Sequence, residues 1–231
     1  MDSRADRVER AYNLHLVDSL DPDMSESGFP ILDAADANPA RLVAFTERGR
    51  GADPSAGVHF FLDDYRFDAV WRDPLRYAPQ LSGFACALTP DWSVYLEMPE
   101  PMQRWGVYRS RAVGRIWQDA GVAVVPTLRW GEPATFGWCF EGLPRGSTVA
   151  LSTVGLADCP EGRELFRLGA EEAMRRLRPR RVIAHGREVG FDPMGAEVVW
   201  HGSGTQERFA AIRAAKRAAR EGKVGSWAEE A

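Results

Sequence analysis

Lysine is nearly absent from this sequence, which bears on the kind of partner the protein can bind. Only Lys216 and Lys223 are lysine among the 29 Lys and Arg residues, and the formal net charge is −4. Arginine binds phosphate and carboxylate groups through paired hydrogen bonds and stacks on aromatic rings, which lysine does less well. The composition therefore favours an anionic or planar partner, unless genomic G+C bias alone produced the arginines.

Cysteine is also scarce, and its placement argues against two kinds of cross-linked fold. Cys86, Cys139 and Cys159 are odd in number, far apart and without a CxxC pair. A disulfide framework and a zinc knuckle both need paired, closely spaced cysteines. We expect all three to be buried thiols, since Cys86 and Cys139 lie in apolar segments.

Long apolar runs and the common nucleotide-binding glycine motifs are missing as well. No stretch of about 18 apolar residues occurs, and the N-terminus is charged throughout. We therefore expect no membrane partner, no signal peptide and a cytoplasmic location. Neither GxGxxG nor GxxxxGKS/T follows an apolar segment, which argues against a nucleotide-binding open sheet.

Six apolar segments of strand length recur along the chain and alternate with helical patterns. They are VHFFL (58–62), ACAL (85–88), VAVVP (122–126), STVAL (147–151), RVIA (181–184) and AEVVW (196–200). Apolar residues at spacings of three and four predict helices over 108–121 and 162–179. This alternation predicts an α/β fold with mainly parallel strands. A small or incomplete (β/α) barrel-like domain is our first interpretation, and an open doubly wound sheet is the alternative.

The chain divides into three expected regions. Residues 1–50 form an N-terminal extension that packs on the core and contains a helix over 38–47, which starts at an Asn-Pro cap signal. Residues 51–204 form the barrel-like domain. Residues 205–231 form a basic C-terminal helix and tail, for which a solvated face is the alternative to a nucleic-acid-binding one. The candidate nucleic-acid-binding residues there are Arg213, Lys216, Arg217 and Arg220.

Polar side chains follow the apolar segments at equivalent places. Because ligands gather at the carboxyl edge of parallel strands, these side chains form the candidate site. In chain order they are Asp63, Asp64, Arg66, Thr89, Asp91, Trp92, Thr127, Arg129, Trp130, Ser152, Thr153, His185 and His201.

The residue types at this edge favour acid–base, nucleophilic or metal chemistry. A pair of carboxylates can act as acid and base, or as acid and nucleophile, when their environments separate the two pKa values. Arg129 suits an anionic group, and Trp92, Trp130 or Tyr65 suits a planar ring. Aspartates with His185 can instead hold a divalent metal, the only cofactor that the pattern suggests. The catalytic candidates are Asp63, Asp64, Asp91 and His185.

Structural roles are the alternative for each of these residues taken singly. Aspartate is common at strand ends because it hydrogen-bonds turns and caps helices. The segment EMPEPMQRWGVYRSR, residues 97–111, allows two interpretations: a mobile lid that carries Arg109 and Arg111 over the rim to bind nucleic acid, or a plain loop.

Long motifs in a fixed order carry a resemblance to a known family. They are FFLDDYRFDAVW, LTPDWSVYLEMP, YRSRAVGRIWQDAGVAVVPTLRWG, CFEGLPRGSTVALSTVG and the segment ending in RVIAHG, over about residues 57–187. These resemble the uncharacterised proteins catalogued as domain of unknown function 4417. The resemblance implies that a phage, plasmid or other mobile element encodes the protein, and it implies no established activity.

A second, weaker resemblance is architectural. ALTPDWS is similar to a strand end of tRNA-guanine transglycosylases and related DNA base-exchange enzymes, where an aspartate works on the base; Asp91 stands in that place. STVALSTVG lacks the paired glycines of their later turn, and Asp192, the only candidate for their nucleophile, lies in a different motif. Their zinc site has no counterpart. The resemblance implies a barrel and base exchange.

Two classes of function follow from these observations. The first is an enzyme that acts on nucleic acid or nucleotides, by base exchange or by hydrolysis, with carboxylates at the rim. The second is a non-catalytic accessory protein that binds nucleic acid or a host factor through the basic C-terminal helix. No oligomeric state is predicted.

Overall fold

The computed structural model of the protein describes residues 9–202. This part contains seven strands, and every strand pairing is parallel. The strands are β1 (Arg41–Ala44), β2 (Ala56–His59), β3 (Cys86–Leu88), β4 (Val124–Val125), β5 (Thr148–Ser152), β6 (Arg181–His185) and β7 (Glu197–His201). The prediction of an α/β fold with parallel strands is confirmed.

Parallel pairing requires crossover connections, and helices lie in all of these connections except the one between β6 and β7. The two long ones are α4 (Glu100–Asp119), between β3 and β4, and α5 (Pro160–Leu177), between β5 and β6. The short α-helices are α1 (Leu14–Leu20), α2 (Ala69–Arg72) and α3 (Ala78–Leu81), and 3₁₀ helices span Phe45–Arg50, Asp64–Arg66 and Pro133–Gly137.

The strands pair in chain order without reversal, unlike those of an open doubly wound sheet. Strands β1–β4 form one sheet and β5–β7 another. A parallel bridge from Thr127 to Ala150 links the sheets, and the Leu128 N–H donates to the Ala150 carbonyl. Within residues 9–202 β1 and β7 do not pair, so the strands form no closed barrel.

Most of the strands are buried on both faces, which explains their continuous apolar character. On β5, Val149 and Leu151 pack into the cluster that contains α5, while Ala150 points into a different cluster. That second, inner cluster contains Phe61, just after β2, and residues of β3 through β6: Cys86, Leu88, Val125, Ala150 and Ile183. The sheets therefore curve around a small shared core.

The predicted helix over 38–47 is wrong. Residues Arg41–Ala44 form β1, whose Leu42 pairs with Gly57 of β2. Nη2 of Arg41 also lies 2.6 Å from Oδ2 of Asp53, in the loop before β2, and forms an ion pair with it. Propensity favoured a helix here, but pairing with a distant strand decided the local structure.

Both interpretations of residues 97–111, a mobile lid and a plain loop, are also wrong, because α4 begins at Glu100. Pro101 fits the first helical turn, where a backbone N–H has no intrahelical partner. Buried Gln103 then donates from its amide to the carbonyls of Tyr95 and Met98, which ties the preceding loop to the helix.

The other sequence expectations have mixed outcomes. Cys86 and Cys139 are buried, but Cys159 is exposed, contrary to expectation. No helix in the described part of the chain is long and apolar enough to cross a membrane. The expected C-terminal helix lies outside the described residues, and the three-region division stays a prediction.

Candidate functional site at the strand rim

Asp91 and Arg129 form an ion pair where β3 and β4 end. Nη1 of Arg129 lies 3.5 Å from Oδ2 of Asp91. Asp91 is 8% exposed, and within residues 9–202 nothing donates a hydrogen bond to its Oδ1 or accepts one from Nε of Arg129. A buried polar atom without a partner costs about 1–3 kcal/mol, so this pair is not arranged for maximal stability.

The environment of Asp91 shifts its protonation toward neutral pH. Burial raises the pKa of Asp91 to about 6; the guanidinium of Arg129 opposes this shift, and the Asp64 carboxylate adds to it. A carboxyl group with a pKa in this range can donate a proton or accept one near neutrality. Among the predicted carboxylates, Asp91 thus has the properties of an acid–base group.

Asp64 and Asp63, its neighbour in sequence, occupy different environments. Asp64 is half-buried and accepts hydrogen bonds from Ser93, at 2.8 Å from the hydroxyl and 3.2 Å from the backbone N–H. Asp63 precedes the short 3₁₀ helix Asp64–Arg66, Arg66 is its last residue, and both are exposed. The hydrogen bonds from Ser93 therefore tie Asp64 to the loop that carries Asp91.

Two threonines predicted as ligand-binding residues join the strand ends instead. Thr89 Oγ1 accepts hydrogen bonds from the Thr127 N–H at 2.9 Å and from the Ser110 hydroxyl at 3.1 Å. The Thr127 hydroxyl donates to the Thr89 carbonyl at 2.8 Å. Both threonines are buried, so they fix the spacing of the loops that carry Asp91 and Arg129.

A cleft of about 410 Å³ opens beside Arg129. We call it the first cleft; it lies between the loops after β3, β4 and β5 and the N-terminus of α5, and apolar side chains supply much of its lining. Its main polar and aromatic lining residues are Tyr95, Glu97, Arg129, Trp130, Ser152, Cys159 and Glu161.

Cys159 and Trp130 are the most informative parts of this lining. The Cys159 sulfur caps α5 by accepting from the Gly162 N–H. The Trp130 indole packs against Phe140 and Phe166 and donates to the Leu165 carbonyl at 3.2 Å. The Cys-Pro pair at 159–160 signalled this helix start, but the sequence analysis missed it.

His185 lies among other imidazoles rather than beside the aspartates. Its ring is 4.5 Å from that of His59 and 5.0 Å from that of Phe61, and its Nδ1 is 3.4 Å from the Ser152 hydroxyl. The predicted residue Thr153 is buried and donates to the Arg187 carbonyl at 2.7 Å. Within the part of the chain described, no three His, Cys, Asp or Glu residues are grouped to hold a metal ion.

Burial keeps these histidines neutral. It lowers the pKa of His185 to about 4, with the nearby His201 a further cause. It lowers the pKa of His59 to about 3, and both His185 and His201 add to that shift. The half-buried His201 also has a lowered pKa because of burial.

A second cleft, of about 340 Å³, lies on the other side of the 91–95 loop. We call it the second cleft, and it is lined by Asp64, Tyr65, Asp68, Arg72, Trp92 and Arg109. Trp92 is 2% exposed and forms part of the wall, whereas Tyr65 is 78% exposed. Asp68 was missed by the sequence analysis.

Arg109 and Arg111, predicted together, face different surroundings on α4. Arg109 lines the second cleft. Arg111 is 1% exposed and donates to the backbone carbonyls of Cys139 and Glu141 at 3.1 and 3.2 Å. Arg111 thus connects α4 to the 139–141 segment and does not face the surface. The predicted residues Arg213, Lys216, Arg217 and Arg220 lie outside the described residues.

Residues 22–199 match the family described as Domain of unknown function (DUF4417). The chain belongs to this family. The motif resemblance is therefore confirmed.

Two phage proteins are similar to this member of the family. The "Gene 1 protein" of Mycobacterium phage D29 is 41% identical over 176 residues, which cover 75% of this chain but 65% of the relative, less than two thirds of its length. The "Gene 1 protein" of Mycobacterium phage L5 is 42% identical over 168 residues, covering 71% of this chain and 73% of the relative. No solved structure matches significantly.

The resemblance to transglycosylases finds no support in these comparisons. Asp192, the candidate for their nucleophile, accepts a hydrogen bond from the Met194 N–H within its own turn and is exposed. Asp91 remains the acidic group that the structure distinguishes, on its burial and its pairing with Arg129.

Proposed function

We propose that the protein is an enzyme that acts on nucleotides or nucleic acid at the first cleft. Asp91 is its general acid–base group, and Arg129 binds an anionic group of the substrate. The observation that carries the proposal is the buried Asp91 carboxyl, with a pKa raised to about 6, held 3.5 Å from the guanidinium of Arg129. Arg129 lines the first cleft, and Asp91 lies behind it, outside the cleft lining.

The surroundings of this pair support an anionic, planar substrate. Arg129 can bind phosphate with the N–H groups that Asp91 does not engage. The positive end of the α5 dipole, at Cys159, faces the same cleft and favours negative charge, which the carboxylates of Glu97 and Glu161 in the lining partly offset. Trp130 lines it as an aromatic surface against which an uncharged part of the substrate can pack.

The test measures turnover and binding separately. Labelled single-stranded DNA and RNA oligonucleotides and free mononucleotides are incubated with the wild type, Asp91→Asn and Asp63→Asn. Loss of a positioned acid–base group lowers turnover by about 100-fold or more, so we expect Asp91→Asn to be nearly inactive. Asp63→Asn is the matched control because Asp63 is exposed, and it should keep its activity.

Binding supplies the second measurement. Arg129→Gln should weaken the thermal stabilisation that the best ligand gives, while Asp91→Asn should retain it. Wild-type turnover in Asp91→Asn would disprove the assigned role. Oligonucleotide binding without turnover, unchanged in Asp91→Asn and Arg129→Gln, would instead support a non-catalytic binding protein.

A further inference from the structure

The second cleft has a wall of stacked planar groups. The guanidinium carbon of Arg109 lies 4.5 Å from the centroid of the Trp92 ring and 5.7 Å from that of Trp105. Trp92 in turn packs edge-on against Phe67 and Trp71. Packing on several sides holds Trp92 and Arg109 in one orientation, so the wall is formed before any ligand arrives.

This wall contains more hydrogen-bonding capacity than the fold uses. Within residues 9–202, neither Nε1 of Trp92 nor Nε of Arg109 has an acceptor. Oδ2 of Asp68 lies 3.7 Å from Nη2 of Arg72, and Oδ1 of Asp68 lies 3.7 Å from Nη1 of Arg109. Both distances are beyond the normal hydrogen-bond range. The ion pairs are therefore loose, and their donors and acceptors can turn to a ligand.

The charges that line the cleft balance. Asp64 and Asp68 supply two carboxylates, and Arg72 and Arg109 supply two guanidinium groups. Such a lining gains little from a ligand of high net charge. It offers instead acceptors and donors side by side, which suits a neutral ligand that carries both.

Tyr65 adds an unusual exposed ring at this cleft. Its side chain is 78% exposed, and the 3₁₀ helix Asp64–Arg66 carries it beside an Asp64 that Ser93 holds in place. An aromatic ring on a fixed turn over a cleft is a surface on which a planar ligand can stack.

We infer that the second cleft binds a nucleobase, which stacks on Tyr65 and exchanges hydrogen bonds with Asp68 and Arg109. The inference rests on the proposed function and extends it. Trp92 lines the second cleft whereas Val94 and Tyr95 line the first, so the 91–95 loop separates the two. A nucleotide that crosses this loop places its base in the second cleft and a phosphate at Arg129.

The experiment uses ligands that each fill one cleft. Cytidine and uridine have a base but no phosphate, and ribose 5-phosphate has a phosphate but no base. Each is titrated into the full-length protein by saturation-transfer NMR. We expect cytidine to bind more tightly than uridine, because its amino group donates to a carboxylate where uracil presents a carbonyl oxygen.

Variants show where the nucleosides bind. Tyr65→Ala should weaken cytidine binding about tenfold or more through lost stacking, and Tyr65→Phe should restore it. Tyr95→Ala is the matched control, since Tyr95 is also exposed but lines the first cleft; it should leave cytidine binding unchanged. Asp68→Asn should reduce the preference for cytidine over uridine.

The outcomes separate this inference from the proposed function. If ribose 5-phosphate binds and depends on Arg129 while no nucleoside binds, the base site is overturned and the anion site stands. If cytidine binds and depends on Tyr65 while ribose 5-phosphate does not bind, the base site stands and the phosphate role of Arg129 fails. Equal cytidine binding by wild type and Tyr65→Ala also overturns the base site.

Discussion

Arg129 reaches Asp91 across the ends of two neighbouring strands, with Nη1 and Oδ2 3.5 Å apart. The reciprocal hydrogen bonds of Thr89 and Thr127 fix the spacing of β3 and β4 just below the pair. The backbone thus holds a carboxylate and a guanidinium near each other without bringing them into close, fully satisfied contact. Groups kept in this state are typical of functional sites, where stability is reduced for activity.

Asp91→Asn should stabilise the protein, and the gain should grow with pH. The folded-state pKa of Asp91, about 6, is above its ordinary value of 3.8. The folded state therefore binds more protons than the unfolded state between these values, and stability falls as pH rises through this window. Above about pH 6 we expect the variant to be more stable than wild type by about 1–3 kcal/mol, and near pH 4 by little.

Urea unfolding at several pH values measures this difference. The control is Asp63→Asn, which replaces an exposed carboxylate and should change the unfolding free energy by less than about 0.5 kcal/mol at every pH. A pH-independent loss of stability in Asp91→Asn would mean that Asp91 serves as a turn-forming residue.

Acid should destabilise the wild type through its buried histidines. Their folded-state pKa values are depressed, to about 3 for His59 and about 4 for His185, from 6.5. The unfolded state thus binds more protons than the folded state below about pH 6.5, and stability is lost as pH falls toward these values. This slope has the opposite sign to that of Asp91.

His59→Gln should flatten the acid slope while lowering stability at neutral pH. We expect the difference in unfolding free energy between about pH 7 and pH 4.5 to shrink by about 1–3 kcal/mol. His15→Gln, at an exposed position, should leave the slope as it is. An unchanged slope in His59→Gln would show that protonation of this imidazole is not linked to unfolding.

The strands could be predicted because burial on both faces leaves them apolar. ACAL and STVAL are examples, and both became parallel strands. RLVA, at 41–44, was not predicted as a strand because it is short and half-exposed. It forms a strand through its pairing with β2. Such long-range pairing leaves no local trace in the sequence.

For the candidate site, the sequence predicted which residues follow each strand but not how their side chains are arranged. Asp91 and Arg129 do lie together, as the topology of parallel strands requires. The hydrogen bonds between Thr89 and Thr127 could not be predicted from the sequence, since a shift of one residue in strand register would separate the two side chains. Arg111 was open to a better prediction: Val107, Arg111 and Gly114 follow the helical spacing of α4, and all three are buried.

Gly169→Ala should displace a residue that lines the first cleft, although Gly169 itself does not line it. A methyl group at Gly169 of α5 would overlap the indole of Trp130, which lines the cleft. Forcing the ring aside should cost about 1–3 kcal/mol and should weaken ligand binding at Arg129. Gly137→Ala, where a methyl group meets open space, is the control. Unaltered thermal unfolding and ligand binding in Gly169→Ala would contradict the assigned position of Trp130.

Arg111→Met tests whether the buried arginine of α4 contributes to stability. The buried guanidinium donates to the Cys139 and Glu141 carbonyls, and burial lowers the pKa of Arg111 to about 10. Methionine fills similar space but leaves those carbonyls unpaired, so we expect a loss of about 2–4 kcal/mol.

The matched control for Arg111→Met is Arg115→Met, one turn further along the same helix. Nη1 of the partly buried Arg115 lies 2.8 Å from Oδ2 of the largely exposed Asp33, and an ion pair with one solvent-exposed partner contributes about 1 kcal/mol or less. Equal stability losses in urea unfolding would show that the Arg111 carbonyl contacts contribute no more than a surface pair. Nucleic-acid binding that depended on Arg111 in a fully folded variant would return it to the interface first predicted for it.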